Sequence, residues 1–251
     1  MEVHAHTHTA RKKWTHYFWE FLMLFLAVFC GFLAENQREH LVEHKRGIKY
    51  IQSLAEDLGY DTLEFQGDGE TWREKIYIID TLRQELSKPI PAQKTEQLYK
   101  LASSLFSITT FIYNDRTVEQ LRHSGEFRLL NKEVVTKLID YDGKIRTSIR
   151  DREAILLNTY KELIDIQNGL FDSRVFDQLR LKRIAEKDSV ASSNPVEYIP
   201  LVNNPEKLFL YCNKLYQYQF NISSVLKFEL QAKNRLSQLL DEIKKYYTIN
   251  Q

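Results

Sequence analysis

One stretch of the chain is apolar without interruption, at residues 21–34 (FLMLFLAVFCGFLA). As a helix it would cover about 21 Å, less than the roughly 30 Å hydrocarbon core of a bilayer. Extending it back to Trp14 gives residues 14–34, which are long enough to span and place Trp14, Tyr17 and Trp19 at one interface as an aromatic belt. No small-residue cleavage site follows, as it would in a secretory signal. The pattern predicts a retained transmembrane helix at residues 14–34.

After this span, apolar residues recur at intervals of three and four, which is typical of amphipathic helices. Residues 35–87 contain no proline and predict a helix that continues the transmembrane helix outward, with a break or kink at 67–69 (GDG). Another helix is predicted around residues 98–105, and the last one extends to residue 247. The apolar stripe assigned to this last helix comprises Leu208, Tyr211, Leu215, Phe220, Ile222, Val225, Leu226, Leu230, Leu236, Leu240 and Ile243.

Cap residues mark where the remaining helices begin and end. Asn114 or Asp115 can cap a short helix, which Gly125 would end in the left-handed conformation. Asn131 caps a long helix, and Asn204, followed by a proline, is a typical start for the last one. The apolar stripe of the helix after Asn131 comprises Val134, Val135, Leu138, Tyr141, Ile145, Ile149, Leu156, Tyr160, Leu163 and Leu170.

Proline positions and one β-branched segment complete the pattern. The five prolines form two clusters and predict loops near residues 88–92 and 188–204. Residues 108–113 (ITTFIY) have the composition of a strand. A single strand would have no partner, so buried extended chain or helix is expected there.

These elements predict an all-α fold, an N-terminal transmembrane helix that continues into a bundle of about four long amphipathic helices. The expected domains are a short basic, histidine-containing tail at 1–13, the transmembrane helix at 14–34 and the helical bundle at 35–251. The amino-acid composition agrees with an all-α fold. Gly and Pro together are 13 of 251 residues, or about 5%, whereas an average protein has about 12% and turn-rich β folds need many of both.

Charge and cysteine content narrow the function classes. There are 35 Lys and Arg against 34 Asp and Glu, a net charge of +1. No global basic field is available to hold a nucleic-acid backbone, so no nucleic-acid partner is expected. Cys30 lies in the predicted span and Cys212 stands alone, which predicts no intramolecular disulfide and leaves the compartment open.

The orientation in the membrane is set by the flanking cations. Arg11, Lys12 and Lys13 precede the span, and the following twenty residues contain Arg38, Lys45, Arg46 and Lys49. The upstream cluster is closer to the span, and a long domain can cross a membrane largely regardless of its charge. We expect the N-terminus in the cytoplasm and residues 35–251 on the outer side.

The string His40-Leu-Val-Glu43-His44 matches the inverted zincin pattern H-x-x-E-H. Histidines four apart share a helix face and could both reach a zinc ion, with Glu43 as base. The string lies in a highly charged stretch beside the span, with no marked third ligand, so a salt-bridged helix face is the favoured interpretation.

Three weaker features could carry chemistry. The histidines at positions 4, 6 and 8 could bind Zn²⁺, Ni²⁺ or Cu²⁺ loosely, although a tail attracted to anionic headgroups is equally compatible. Glu20, near one end of the span, is expected to reach the interface rather than stay buried. Ala27 and Gly31 have the small-x-x-x-small spacing of packed membrane helices.

The sequence contains no nucleophile elbow, phosphate loop, paired Cys-x-x-Cys or dinucleotide fingerprint. No catalytic, cofactor-binding or metal residue is therefore assigned, and no cofactor is expected.

Residues 11–40 (RKKWTHYFWEFLMLFLAVFCGFLAENQREH) resemble the opening of an uncharacterised family of bacterial single-pass membrane proteins. Residues 51–58 (IQSLAEDL) and 117–125 (TVEQLRHSG), with Leu129 and Leu130, are similar to that family as well. The resemblance covers the first 140 residues or so and implies an anchor followed by a helical domain. It supplies no reaction, substrate or catalytic residue.

Together these features predict a non-enzymatic protein held in the bacterial inner membrane by residues 14–34, with its bundle on the periplasmic side. Its expected partners are the lipid bilayer and either another protein or further copies of the chain. A ligand-binding, sensor-like helical domain that acts through a partner is the first alternative. A metal-dependent hydrolase using His40, Glu43 and His44 is a second and weaker alternative.

Overall fold

The computed structural model describes residues 14–89, 94–187 and 195–247. By contacts the chain divides into two units, residues 1–50 and 51–251. In the described residues the fold is all-α and contains no strand, as the sequence predicts. The helices are α1 (Trp14–Leu86), α2 (Thr95–Ser103), α3 (Arg116–Ser124), α4 (Lys132–Gly143), α5 (Arg150–Asn168), α6 (Ser173–Lys187) and α7 (Pro205–Tyr246).

Helix α1 is 73 residues long and passes without interruption through Gly67-Asp68-Gly69, where a break or kink was predicted. Two glycines cost helix stability in isolation, by about 1 kcal/mol each. Here the buried Asp68 accepts a hydrogen bond from the Thr109 hydroxyl at 2.9 Å, and Thr71 bonds back to the Gly67 carbonyl at 3.0 Å. These tertiary and local bonds offset the cost, so the helix continues.

Within the unit formed by residues 51–251, most of the packing is between three helical runs: the part of α1 in this unit, α4 together with α5, and α7. The Asp140 carboxylate accepts from Arg235 at 2.6 Å and Thr159 accepts from Asn221 at 2.8 Å, so α4 and α5 lie antiparallel to α7. The Asp80 carboxylate accepts from Gln219 on α7 at 2.8 Å. Helix α2, the turn after it and α6 cover one end, where the Tyr99 hydroxyl accepts from the Asp172 backbone at 2.8 Å.

The buried residues of α1 and α7 alternate at intervals of three and four along the whole of the packed region. In α1 these positions are Ile51, Leu54, Leu58, Asp61, Phe65, Asp68, Trp72, Lys75, Ile79, Leu82 and Leu86. In α7 they are Tyr211, Leu215, Tyr218, Ile222, Val225, Glu229, Ala232, Leu236, Leu239 and Ile243. Seven-residue spacing keeps one seam of each helix on its neighbours. Four acidic or basic residues occupy positions of these seams, namely Asp61, Asp68, Lys75 and Glu229.

Helices α4 and α5 form one run, joined by the π-helical segment Lys144–Ile149. Gly143, predicted to lie inside a long helix, directly precedes that segment. Among the buried residues across the segment, those at 141, 145, 149 and 153 are spaced four apart, instead of alternating between three and four. The wider turn inserts residues without rotating the stripe away from the core, which is how π-helical turns are accommodated within α-helices.

The predicted caps are largely confirmed. Asn131 accepts from the Glu133 backbone at 2.8 Å, and Asn204 accepts from Lys207 at 2.9 Å with Pro205 in the first helical turn. Gly125 ends α3 with φ +68°, the left-handed conformation that only glycine adopts without strain. Asp115 stands at the start of α3 but makes no cap bond, because its carboxylate pairs with Arg146 at 2.9 Å instead.

Several predicted elements differ in detail. Residues 107–115 are non-helical, which excludes the helix and agrees with the extended chain, the two alternatives expected at 108–113. Of residues 108–113 only Phe111 is buried, so the expected burial is wrong for most of the segment. Of the predicted loop at 188–204, the described part, 195–204, is non-helical. Loop residues 90–92 and 188–194 lie outside the described residues. Helix α6 is present in the structure but was not predicted from the sequence. Phe220 and Leu230, assigned to the inward stripe of α7, are 64% and 60% exposed, because they lie off the seam that faces α4 and α5.

Candidate functional site

The apolar segment at the start of α1 is solvent-exposed throughout. It has one 18-residue window of mean hydropathy 2.0, and none of that window is buried within the protein. Phe21, Phe25 and Phe29 stack along one side with centroid separations of 6.2 Å and 5.8 Å. In water this surface would cost roughly 25 cal/mol for each Å² of apolar area. The helix is therefore long and apolar enough to cross a bilayer, as predicted.

The ionisable residues of this segment lie on its surface. Glu20 is half-exposed, and its carboxylate lies 3.2 Å from the His16 imidazole one turn earlier. Farther along, Arg38 forms a surface ion pair with Glu35 at 2.5 Å, which lowers the pKa of that carboxyl through the hydrogen bond. Cys30 is exposed, and it and Cys212 are free thiols. The tail with histidines at 4, 6 and 8 lies outside the described residues.

The three residues of the zincin-like string lie on α1. His40 and His44 are exposed and Glu43 is half-buried. No group of three or more His, Cys, Asp or Glu side chains that could hold a metal ion occurs in the described parts of the chain. Among the residues that the structure describes, no third ligand is thus brought to these histidines.

A hydrogen-bonded network that the sequence analysis did not anticipate fixes the non-helical segment 107–115 and helix α3 against α1. Asp57, almost fully buried, accepts from the Thr117 backbone at 3.0 Å, from the Thr117 hydroxyl at 2.7 Å and from Arg116 at 2.6 Å. Asp61, one turn farther along α1, accepts from the Asn114 backbone at 2.9 Å. Two carboxylates of α1 thereby bind the start of α3.

Helix α4 extends the network on its other side. Its Asp142 accepts from the Tyr113 hydroxyl at 2.9 Å, from Arg122 at 2.7 Å and from Arg146 at 2.8 Å. Burial, together with the negative charge of Asp142, raises the pKa of Tyr113, so its hydroxyl stays protonated and donates. Every acidic oxygen of Asp142 has a donor, which is the arrangement of a structural network rather than of a reactive site.

A second buried polar group lies between α1, α5 and α7 and is incompletely paired. It comprises Asp68, Trp72, Glu153 and Glu229. Glu153 accepts from the Phe111 backbone at 2.6 Å and Asp68 accepts through one oxygen only. Among the described residues, the other Asp68 oxygen, both Glu229 oxygens and the Trp72 indole nitrogen are buried without a hydrogen bond of good geometry. The Trp72 N–H is nevertheless close enough to Glu229 to lower the pKa of that carboxyl. We call these four residues the core acid group.

Electrostatics in the core acid group favour a protonated carboxyl. Burial raises the pKa of Glu229 to about 8, and the negative charges of Asp68 and Glu153 add to the shift, while Trp72 and Arg73 oppose it. Burial likewise raises the pKa values of Asp68 and Glu153. A pKa of about 8 favours the protonated carboxyl at neutral pH, which reduces the cost of burying this group.

The buried acids had a detectable signal in the sequence. Asp61, Asp68 and Glu229 occupy positions of the apolar stripes of α1 and α7, three or four residues from buried neighbours. A polar residue at such a position is either buried with partners or interrupts the stripe, and periodicity alone does not decide between these outcomes.

Comparisons of the chain with known protein families, with curated proteins and with solved structures found no match.

Proposed function

We propose that this chain is a non-enzymatic, single-pass protein of the bacterial inner membrane, whose helical domain contacts a protein partner in the cell envelope. The carrying observation is the unburied apolar segment of α1. Its large side chains Phe21, Met23, Leu24, Phe25, Leu26, Val28, Phe29, Phe32 and Leu33 are between 42% and 68% exposed. Within the described residues nothing buries them, and a bilayer is the solvent in which such a surface is stable.

The test is membrane association of the full chain under alkaline extraction. The wild-type chain should stay in the membrane pellet. Replacing Phe25 and Val28 by arginine should release it, because a charge at the centre of a span costs about 2.5–3.5 kcal/mol. Leu63→Arg is the matched control, since Leu63 is 65% exposed but lies in the helical domain. Extraction of the wild-type chain, or equal retention of both variants, would overturn the anchor.

The proposed orientation places residues 35–251 in the periplasm. It rests on the Arg-Lys-Lys cluster at 11–13, adjacent to the span. A reporter enzyme that is active only outside the cytoplasm, fused after Gln251, should be active, and the same reporter at the N-terminus should be inactive. The reverse pattern would place the helical domain in the cytoplasm and direct the search for partners to soluble proteins.

A protein partner is supported by an aromatic stripe on α7. Phe209, Tyr216 and Phe220 are 70%, 58% and 64% exposed, and their spacing of seven and four residues puts them on one face, opposite the buried seam. Contiguous exposed aromatic surface is typical of protein contact sites. A photoreactive amino acid at Phe220 should give a discrete adduct in cells, whereas the same residue at Gln231, an exposed polar position of α7, should give none.

A further inference from the structure

A cavity of about 490 Å³ opens between the end of α2 with its following turn and helix α6. A second cavity of about 270 Å³ shares Ser103, Ser104 and Arg183 with it, so the two form one groove. The volume of the larger one is within the range of small-molecule sites, roughly 300–1,000 Å³. The groove lies entirely within the helical domain.

The apolar part of the larger cavity is aromatic. The Phe106 and Phe176 rings meet edge to face with centroids 4.8 Å apart. Phe106 is 39% exposed although its ring stands beside the bundle core, because one side of it borders the open cavity. Two rings in this arrangement provide a flat surface and an edge on which a planar apolar group can pack.

The cationic side chain of the larger cavity is Arg183, which differs from its neighbour Arg180 in its charged partners. Arg180 is neutralised by Asp177 at 2.7 Å, one turn earlier on α6. Arg183 donates only to the Leu179 carbonyl, at 3.4 Å, and forms no ion pair in the described chain. Its guanidinium therefore borders the cavity with most of its donors unused, in the fork geometry that suits carboxylate and phosphate.

A buried ammonium group stands behind the same cavity. Lys75 is 3% exposed and donates to the carbonyl and the hydroxyl of Ser107, a residue of the cavity wall, the hydroxyl at 3.2 Å. No carboxylate pairs with Lys75 within the described residues, and burial lowers its pKa. Because the Ser107 hydroxyl accepts from Lys75, its own hydrogen is left to donate elsewhere. The wall of the cavity thus offers a hydroxyl donor, which is itself held by a buried ammonium group.

We propose that this cavity binds a small organic anion, a carboxylate or phosphate monoester carried on a flat apolar group. Arg183 and the Ser107 hydroxyl hold the anionic head, and Phe106 and Phe176 receive the flat group. This role goes beyond the proposed anchored scaffold and does not depend on it, because all the residues belong to the helical domain.

The experiment is a calorimetric titration of the full chain in detergent micelles with phenyl phosphate and with benzoate. Inorganic phosphate and benzyl alcohol serve as probes that lack the flat group and the charge, respectively. We expect saturable binding of at least one aryl anion at one site per chain, and the preferred one identifies the head group. Arg183→Gln should weaken binding about tenfold, the loss expected for a charge-assisted hydrogen bond.

The matched control is Arg150→Gln, an exposed arginine outside the cavity, which should leave the affinity unchanged. Arg183 is exposed and makes a single long bond, so its variant is expected to fold, which a thermal melt verifies. The proposal is overturned if neither aryl anion saturates up to about 10 mM. It is also overturned if Arg183→Gln binds as well as the wild type, or if inorganic phosphate or benzyl alcohol binds as tightly as the aryl anions.

Discussion

The Asp61 carboxylate accepts a hydrogen bond from the Tyr141 hydroxyl at 2.7 Å, across 80 residues of sequence. Both side chains are fully buried. The other Asp61 oxygen accepts from the backbone and the side-chain amide of Asn114. One carboxylate therefore joins α1, α4 and the segment before α3. Because an unpaired buried carboxylate is costly, this set of bonds specifies the register of α1 against α4.

Removing the Tyr141 hydroxyl should destabilise the domain. Tyr141→Phe deletes one buried hydrogen bond to a charged group, so the free energy of unfolding should fall by about 1.5–3 kcal/mol. Tyr77→Phe, at a 71% exposed tyrosine of α1, is the control and should have no effect. Denaturant unfolding of Asp61→Asn, Tyr141→Phe and the double variant Asp61→Asn/Tyr141→Phe, each compared with the wild type, completes a double-mutant cycle. Additive single and double effects would show that the two residues are not coupled.

Stability should decline as pH rises towards the alkaline range, because of Glu229. Its folded pKa is about 8, against an ordinary value of 4.5, so between these values the folded chain binds more protons than the unfolded chain. The stabilisation is complete below the ordinary pKa and is lost as pH rises through about 8. Asp68 and Glu153, whose pKa values are also raised by burial, add a slope of the same sign.

The check is the free energy of unfolding measured from pH 5 to pH 9 for Glu229→Gln. The amide is isosteric and does not ionise, so the variant should show a shallower decline and be more stable than the wild type above about pH 8. Glu70→Gln, an exposed position of α1, should keep the wild-type slope. An unchanged slope in Glu229→Gln would mean that Glu229 is ionised in the folded protein at neutral pH.

Substituting two glycines by alanine should change the free energy of unfolding in opposite directions. Gly125 has φ +68°, so Gly125→Ala forces a Cβ into the left-handed region and should cost about 1–2 kcal/mol. Gly59 lies inside α1 with no atom within 4 Å of an added Cβ, so Gly59→Ala should stabilise by about 0.5–1 kcal/mol. Thermal melts of the two variants measure both effects. The same sign in both would contradict the assigned backbone conformations.

The assignment of a buried and an exposed face to α7 can be tested by substituting two residues that are two positions apart, Ile222 and Phe220. Ile222 is fully buried, and Ile222→Ala should cost about 2–5 kcal/mol through the cavity it leaves. Phe220, assigned by the apolar pattern to the same stripe, is 64% exposed, and Phe220→Ser should change stability by less than about 0.5 kcal/mol. A large loss on Phe220→Ser would show that this ring is covered in the protein's folded state.

Periodicity and cap chemistry were sufficient to predict most of the helices. The spacing of three and four, Asn131 and Asn204 as caps, and Gly125 as a helix end are properties of neighbouring residues, which act before any long-range contact forms. The apolar segment at 21–34 likewise needs no tertiary information. Helix α6 did not emerge from the pattern, because only Val175 and Leu179 of its fifteen residues are buried.

The sequence by itself determined the helix class, the apolar segment and most, but not all, of the residues that each long helix turns inward, since Phe220 and Leu230 are exposed. Only the tertiary structure decided which polar residues of those stripes are buried, that α1 continues through Gly67-Asp68-Gly69, and that Lys75 stands behind a cavity formed by α2 and α6. The physical reason is that a single helix fixes which residues share a face, whereas the hydrogen-bond partners of Asp61 and Lys75 lie on other helices or segments and are brought near only by packing. The groups that surround Glu229 are likewise brought near it by packing.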